Sequence, residues 1–124
     1  MQRIIFDTVA RPASKFARGV VHSAGAERLV FSSQVDLRLD GTMAERGEAQ
    51  AEQARRNVVA AAGFEREQML RATMQDTEPG QVAVCRTVRD RVLEGHSCAN
   101  TYLGVSGLAA PAWLVEVEAE AVKE

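Results

Sequence analysis

The stretch Leu114-Val-Glu-Val-Glu-Ala-Glu-Ala-Val122 constrains this chain more than any other. Val115, Val117, Ala119 and Ala121 alternate with Glu116, Glu118 and Glu120. Successive side chains of an extended chain point to opposite faces, so a period of two gives one apolar face and one carboxylate face. A helix would scatter the same glutamates around its circumference. The stretch therefore predicts a strand that packs one face on a core and displays acids on the other. Asn100-Thr-Tyr-Leu-Gly-Val-Ser-Gly-Leu108 upstream also reads as extended, and Pro111 breaks the run between them.

A core needs partners for that strand, and the rest of the chain offers them. Arg3-Ile-Ile-Phe6 is a short apolar run suited to an edge strand, and Arg11-Pro-Ala-Ser14 breaks it. Phe16 to Val21 reads as extended and ends at the small residues of His22-Ser-Ala-Gly-Ala-Glu27, which suit a turn. Arg28-Leu-Val-Phe-Ser-Ser-Gln-Val35 is rich in β-branched and aromatic residues. Leu37 and Leu39 prolong the alternation until Asp40-Gly41, a turn signal. The period then changes. Ala51, Ala54, Val58 and Ala61 recur at helical spacing and predict a helix from Gly47 to Ala62, stopped by Gly63. Glu48, Glu52, Arg55 and Arg56 are expected away from its apolar face. Leu70-Arg-Ala-Thr-Met74 reads as a further strand. A second helix is expected to start in Thr77-Glu-Pro-Gly80, with Pro79 in its first turn. Val82, Cys85, Val88, Val92 and Leu93 form its stripe, and Gly95 ends it. Strands, helix, strand, helix, strands predict an α+β fold: a mixed β-sheet with two helices packed on one face.

Residues 1–124 suit one domain, and a chain of this size buries roughly two-thirds of its unfolded surface without metal or disulfide staples. A net charge of -2 argues against a nucleic-acid partner, which calls for a basic field. At 5% aromatic, the chain also has little from which to build a stacking platform for bases. Cys85, Cys98, His22 and His96 show no zinc spacing, so no metal is expected. No apolar run approaches a membrane span, and the N-terminal residues lack a signal-peptide core. The expectation is a soluble cytoplasmic protein with reduced thiols.

The order of these pieces resembles the RidA/YjgF family of enamine/imine deaminases. The resemblance runs from about Pro12 to Val122 and rests on Phe31-Ser-Ser-Gln34, Val59-Ala-Ala-Ala-Gly63, Ala99-Asn-Thr-Tyr102 and Leu114-Val-Glu-Val-Glu-Ala119. It implies the chorismate-mutase-like YjgF fold and a homotrimer whose sheets pack into a central barrel. It implies ligand sites in clefts between subunits. It implies hydrolysis of enamines or imines, such as 2-aminoacrylate, to a keto acid and ammonia without metal or organic cofactor.

The resemblance also implies site residues. The family's serine falls on Ser32, and the glutamate that positions water or relays a proton falls on Glu116. The family's tyrosine falls on Phe16, which lacks the hydroxyl. A family asparagine falls on Arg86, and a family cysteine falls on Tyr102. The arginine that grips the substrate carboxylate falls on Asn100. Glu116, Ser32 and Asn100 are the expected catalytic residues; Phe16, Arg86 and Tyr102 are expected to line the substrate. A guanidinium offers a charged planar fork, and asparagine only a neutral amide. Loss of one charge-assisted contact weakens carboxylate binding roughly ten- to a hundredfold. The expected substrate is therefore an imine, enamine or related unsaturated metabolite other than 2-aminoacrylate, unless Arg86 restores the charge. The alternative is a small-molecule-binding or regulatory trimer without turnover. Cys85 reads as packing. Cys98 is a candidate thiol beside the site strand, and His96 is a surface residue or, if brought to the cleft, a proton shuttle.

Overall fold

A computed structural model of the chain describes residues 1–4, 19–35, 47–59, 65–78 and 80–124. The expectations placed on residues 5–6, 11–18, 37–41 and 60–64 and on Pro79 lie outside these. Strands β1 (Gln2–Ile4) and β2 (Gly19–Val21) precede β3 (Glu27–Gln34) and helix α1 (Gly47–Val59). β4 (Met69–Asp76), α2 (Val82–Val92), β5 (Ala99–Gly104) and β6 (Val115–Lys123) follow. β1 and β2 pair antiparallel in a sheet of their own. The other strands form a sheet in the order β3-β6-β4-β5, mixed as expected: β6 is antiparallel to both neighbours, and β4 is parallel to β5.

This topology explains why both helices share one face. β3 and β4 are each antiparallel to β6, hence parallel to one another, and α1 is the crossover between them. α2 is the crossover from β4 to β5. Both crossovers move in the same direction across the sheet, and crossovers of one hand then land on one side. The face they cover holds Val115, Val117, Ala119 and Ala121 of β6 with Ala72 and Met74 of β4, all buried. The alternation read in the last strand thus holds, except that Val122 is buried as well. Against this face α1 sets Ala51 and Ala54, and α2 sets Cys85, Val88 and Val92.

Three local expectations are corrected. α1 buries Gln50 and Arg55 besides its alanines, because it packs against α2 as well as the sheet and needs a wider contact stripe. Arg55, expected away from the apolar face, is 6% exposed. Gln50 clamps the segment before β6: its Nε2 donates to the Ala112 carbonyl at 3.0 Å, and its Oε1 accepts from Leu114 N–H at 2.9 Å. α2 starts at Val82, not within residues 77–80. Before it, Thr77 N–H and Oγ1 donate to the Leu114 carbonyl at 2.9 and 3.0 Å, and Gly80 is left-handed at φ 81°. At the far end of α2, Glu94 enters the left-handed region first, at φ 49°, before Gly95 at 83°. Glu94 N–H and Gly95 N–H donate to the carbonyls of Arg91 and Asp90, the paired bonds of a Schellman ending. Arg66 pairs with the Glu94 carboxylate at 3.0 Å and holds this unusual residue in place.

β3 carries one further irregularity. Phe31 pairs with Ala119, but the next pair is Gln34 with Val117. Three steps along β3 oppose two along β6, which is a β-bulge at Ser32-Ser33.

Candidate functional site

Strand register assigns the expected residues to faces. Asn100 pairs with Ala72 and Tyr102 with Met74, so both belong to the helix-covered face. There a cleft of about 270 Å³ opens between α2, the edge strand β5 and Arg55 of α1. Arg86 and Arg89 of α2 reach it from one side, and Asn100, Thr101 and Tyr102 of β5 from the other. The structure brings Arg86, Asn100 and Tyr102 to one cleft.

Their chemistry is narrower than their side chains suggest. Asn100 Nδ2 donates to the Cys98 carbonyl and to Cys98 Sγ, both at 3.2 Å. The amide nitrogen is thereby engaged with Cys98, and Oδ1 remains as an acceptor. The Tyr102 hydroxyl donates to Asp76 Oδ2 at 2.6 Å, and Cys85 Sγ donates to the same oxygen at 3.5 Å. Asp76 is 2% exposed, and its Oδ1 accepts from Glu78 N–H at 2.9 Å. Burial, then the bond to Asp76, raises the Tyr102 phenol above its usual range. Burial and the nearby Asp76 charge push the Cys85 thiol up to about 12. Cys85 is more than packing, since it helps hold a buried carboxylate. Cys98 is fully buried and burial raises its thiol, so the expectation of a reactive thiol there is overturned. His96 is kept from the cleft: its Nε2 lies 3.0 Å from the Met69 carbonyl, tying the turn after α2 to β4.

Glu116 is on the other face. It pairs with Gln75, one step out of phase with the buried Met74 and Asp76. Its neighbours on that open face are occupied. Glu118 accepts from Gln75 Nε2 at 3.1 Å. Glu120 accepts from Arg28 at 2.6 Å and Arg71 at 3.2 Å, one arginine from each flanking strand. Glu116 makes no hydrogen bond or ion pair among the described residues and is half-buried. The Ser32-Ser33 bulge lies opposite Glu118, next along the same face. Ser32 is described through its backbone alone, and Phe16 lies outside the described residues.

Asn100 and Glu116, both expected to be catalytic, therefore do not face each other within one chain. The sheet separates them, because β5 pairs with β4 in the phase of Ala72 and Met74 and β6 carries its glutamates in the opposite phase. Sequence reasoning missed Arg55, Arg89 and Asp76. Each had a signal in its spacing. Arg55 follows Ala51 by four residues, Arg89 follows Cys85 by four, and Asp76 follows Met74 by two. A charge in phase with a buried stripe was the sign. Among the described residues no group of His, Cys, Asp or Glu is placed to hold a metal, and no helix is long and apolar enough to cross a membrane.

No protein-family model matches the sequence, and no curated protein does. Solved structures do. The chain is similar to a Rid-family protein of unknown function from Yersinia pestis, with 26% identity, a TM-score of 0.86 and 98% of each chain covered. It is similar in fold to a Thermotoga maritima protein described as a putative endoribonuclease, with 22% identity, a TM-score of 0.71, and 100% of this chain and 98% of that one covered. It is also similar in fold to Escherichia coli TdcF with bound serine, with 19% identity, a TM-score of 0.70 and 100% of both chains covered.

Proposed function

This chain is a member of the Rid/YjgF family, and from that premise we propose that it hydrolyses an imine, enamine or related unsaturated metabolite in a cleft shared between two copies of itself. The observation that carries the proposal is Glu116, the glutamate of β6 that has no partner among the described residues. A carboxylate not tied up by an arginine is sterically free to hydrogen-bond a water. The helix-covered face contributes Arg86, Asn100 and Tyr102, and the open face of a neighbouring copy contributes Glu116 and Ser32, with Phe16 completing the pocket. The open face also exposes Val30 of β3, 63% accessible, and Leu103 of β5, 45% accessible, apolar surface suited to a subunit contact. A homotrimer supplies such a contact three times.

The reaction balances without a cofactor. Glu116 takes a proton from water as its oxygen bonds to the imine carbon, and the C=N electron pair moves to nitrogen. Glu116 returns that proton to the nitrogen, giving the carbinolamine; it then takes the hydroxyl proton as the C=O bond forms and delivers it to the nitrogen as the C–N bond breaks. One water enters; a carbonyl compound and ammonia leave. Asn100 Oδ1 accepts from the substrate N–H, a role for an acceptor that no arginine fills. That choice, with arginine absent at position 100, supports a substrate other than 2-aminoacrylate.

The test is an ammonia-release assay on a panel of imines and enamines. Glu116→Gln should lower the rate about 10²- to 10⁴-fold while leaving assembly intact. Asn100→Asp should also be inactive, by placing a carboxylate in the cleft. Mixing the two inactive variants should restore activity to about a quarter of wild type, because some shared sites then receive both intact halves. No recovery on mixing would sink the shared site, and full activity in Glu116→Gln would remove Glu116 from the chemistry.

The binding reading also has an observation in its favour: the Asn100 amide nitrogen is engaged with Cys98. A panel that is bound, raising the thermal midpoint, but never hydrolysed would decide for a binding module.

A further inference from the structure

The cleft on the helix-covered face carries more positive charge than packing requires. Arg55, Arg86 and Arg89 line it, and no carboxylate does among the described residues. Arg89 is 5% exposed and has a counter-charge: its Nε and Nη2 donate to Asp90 Oδ1 at 3.1 and 3.0 Å. Arg55 is 6% exposed and makes no hydrogen bond or ion pair among the described residues; its Nε is buried without an acceptor. A buried guanidinium without partners is costly, and one with a second guanidinium beside it more so. Burial, and then Arg89, lower the Arg55 pKa to about 10, so it remains charged at neutral pH. The nearest buried acid does not answer it. Asp76 is held by Tyr102, Cys85 and the Glu78 N–H.

We propose that Arg55 and Arg89 form an oxyanion site at the base of this cleft, taking the carboxylate or phosphate end of a small metabolite, with Arg86 at the rim. A guanidinium presents paired N–H donors in a planar fork that matches either group. The exposed Arg86 adds steering charge at the mouth. The two helices thus supply, from below position 100, the charge that Asn100 lacks. The inference uses the cleft of the proposed function but rests on neither Glu116 nor turnover.

Arg55 and Arg89 as a purely structural pair would behave oppositely when one is removed. In the structural case Arg55→Met destabilises the chain under all conditions. In an oxyanion site the same change removes an uncompensated buried charge, so it raises the thermal midpoint in chloride buffer and erases stabilisation by the anion.

The experiment uses the full chain at matched ionic strength, titrated with succinate, inorganic phosphate or sodium chloride and read by thermal midpoint and calorimetry. Succinate or phosphate should bind saturably beyond the chloride control, and whichever does identifies the carboxylate or phosphate head. Arg55→Met should weaken that binding roughly ten- to a hundredfold. Arg86→Glu, an exposed change that cannot disturb the core, should weaken it at least about tenfold. Arg56→Ala, exposed and paired with Glu52, should change nothing. The proposal is overturned if neither probe exceeds chloride, or if both Arg55→Met and Arg86→Glu bind like wild type. Anion binding without imine hydrolysis keeps this site and discards the proposed reaction. Hydrolysis without anion binding does the reverse.

Discussion

On the side of the sheet covered by α1 and α2, Ala72, Met74 and Asp76 are buried; one residue out of phase, Arg71, Thr73 and Gln75 of the same strand stay accessible. The buried side spends its polar groups on fixed partners: Tyr102 and Cys85 on Asp76, Asn100 on Cys98, Gln50 on the segment before β6. The open side joins its charges across strands in water, as Glu120 does with Arg28 and Arg71. The difference teaches where freedom lies. Among the described residues the polar groups near the core are mostly committed, and Arg55 below and Glu116 above are exceptions, which is why the proposed sites are built on them.

The sharpest way to break this contrast is to substitute one residue on each side. Met74→Ala removes a fully buried side chain and should destabilise the chain by about 2–5 kcal/mol in denaturant unfolding. Glu116→Gln, which affects activity most, should leave the same unfolding curve unmoved. A large stability loss in Glu116→Gln would mean that the open face is also a structural core.

The second contrast is in pH. The unfolded Cys85 thiol ionises near 9.0, and the folded one near 12. Between those values the unfolded chain binds fewer protons, so stability falls as pH rises from about 9 toward 12. Tyr102, raised for the same reasons, adds to the trend. Cys85→Ala should flatten the fall, and the stability gap between variant and wild type should shrink as pH increases. An unchanged slope would place the Asp76 cluster in contact with water.

Glu120→Gln should have the smallest effect. Its arginines are more than half exposed, and such pairs contribute below about 1 kcal/mol and less in high salt. A larger, salt-insensitive loss would show that these charges are covered by another copy of the chain.

Much of this was legible in the sequence, and what was not had physical causes. The β6 alternation gave the sheet its two faces, and the stripe from Val82 to Val92 gave α2 its buried side. The start of α2 was placed too early because Pro79 suits a helix start in sequence, and no local pattern announces that Thr77 bonds to Leu114, far along the chain. Arg55 was placed in solvent because charge ordinarily lies there; only the docking of α1 on α2 reveals otherwise. Asn100 and Glu116 were both named as catalytic from the resemblance, with no reading of which face of the sheet Asn100 takes. The phase that separates them within one chain is set by the β4–β5 register, which neither strand encodes alone.

The position of β6 has a consequence for how the chain reaches its shape during synthesis. β6 is made after β3, β4 and β5, yet it lies between β3 and β4 and pairs with both. Until it arrives, neither of those strands has its central neighbour, and each presents an unpaired edge open to other chains. The contacts that close the sheet span most of the sequence, so loop closure precedes the stabilisation it brings and folding is slow for a domain of this size. A growing or truncated chain lacking β6 should collect in aggregates rather than as a smaller folded core, and supplying the missing strand as a peptide should rescue it only when it is present before those edges meet.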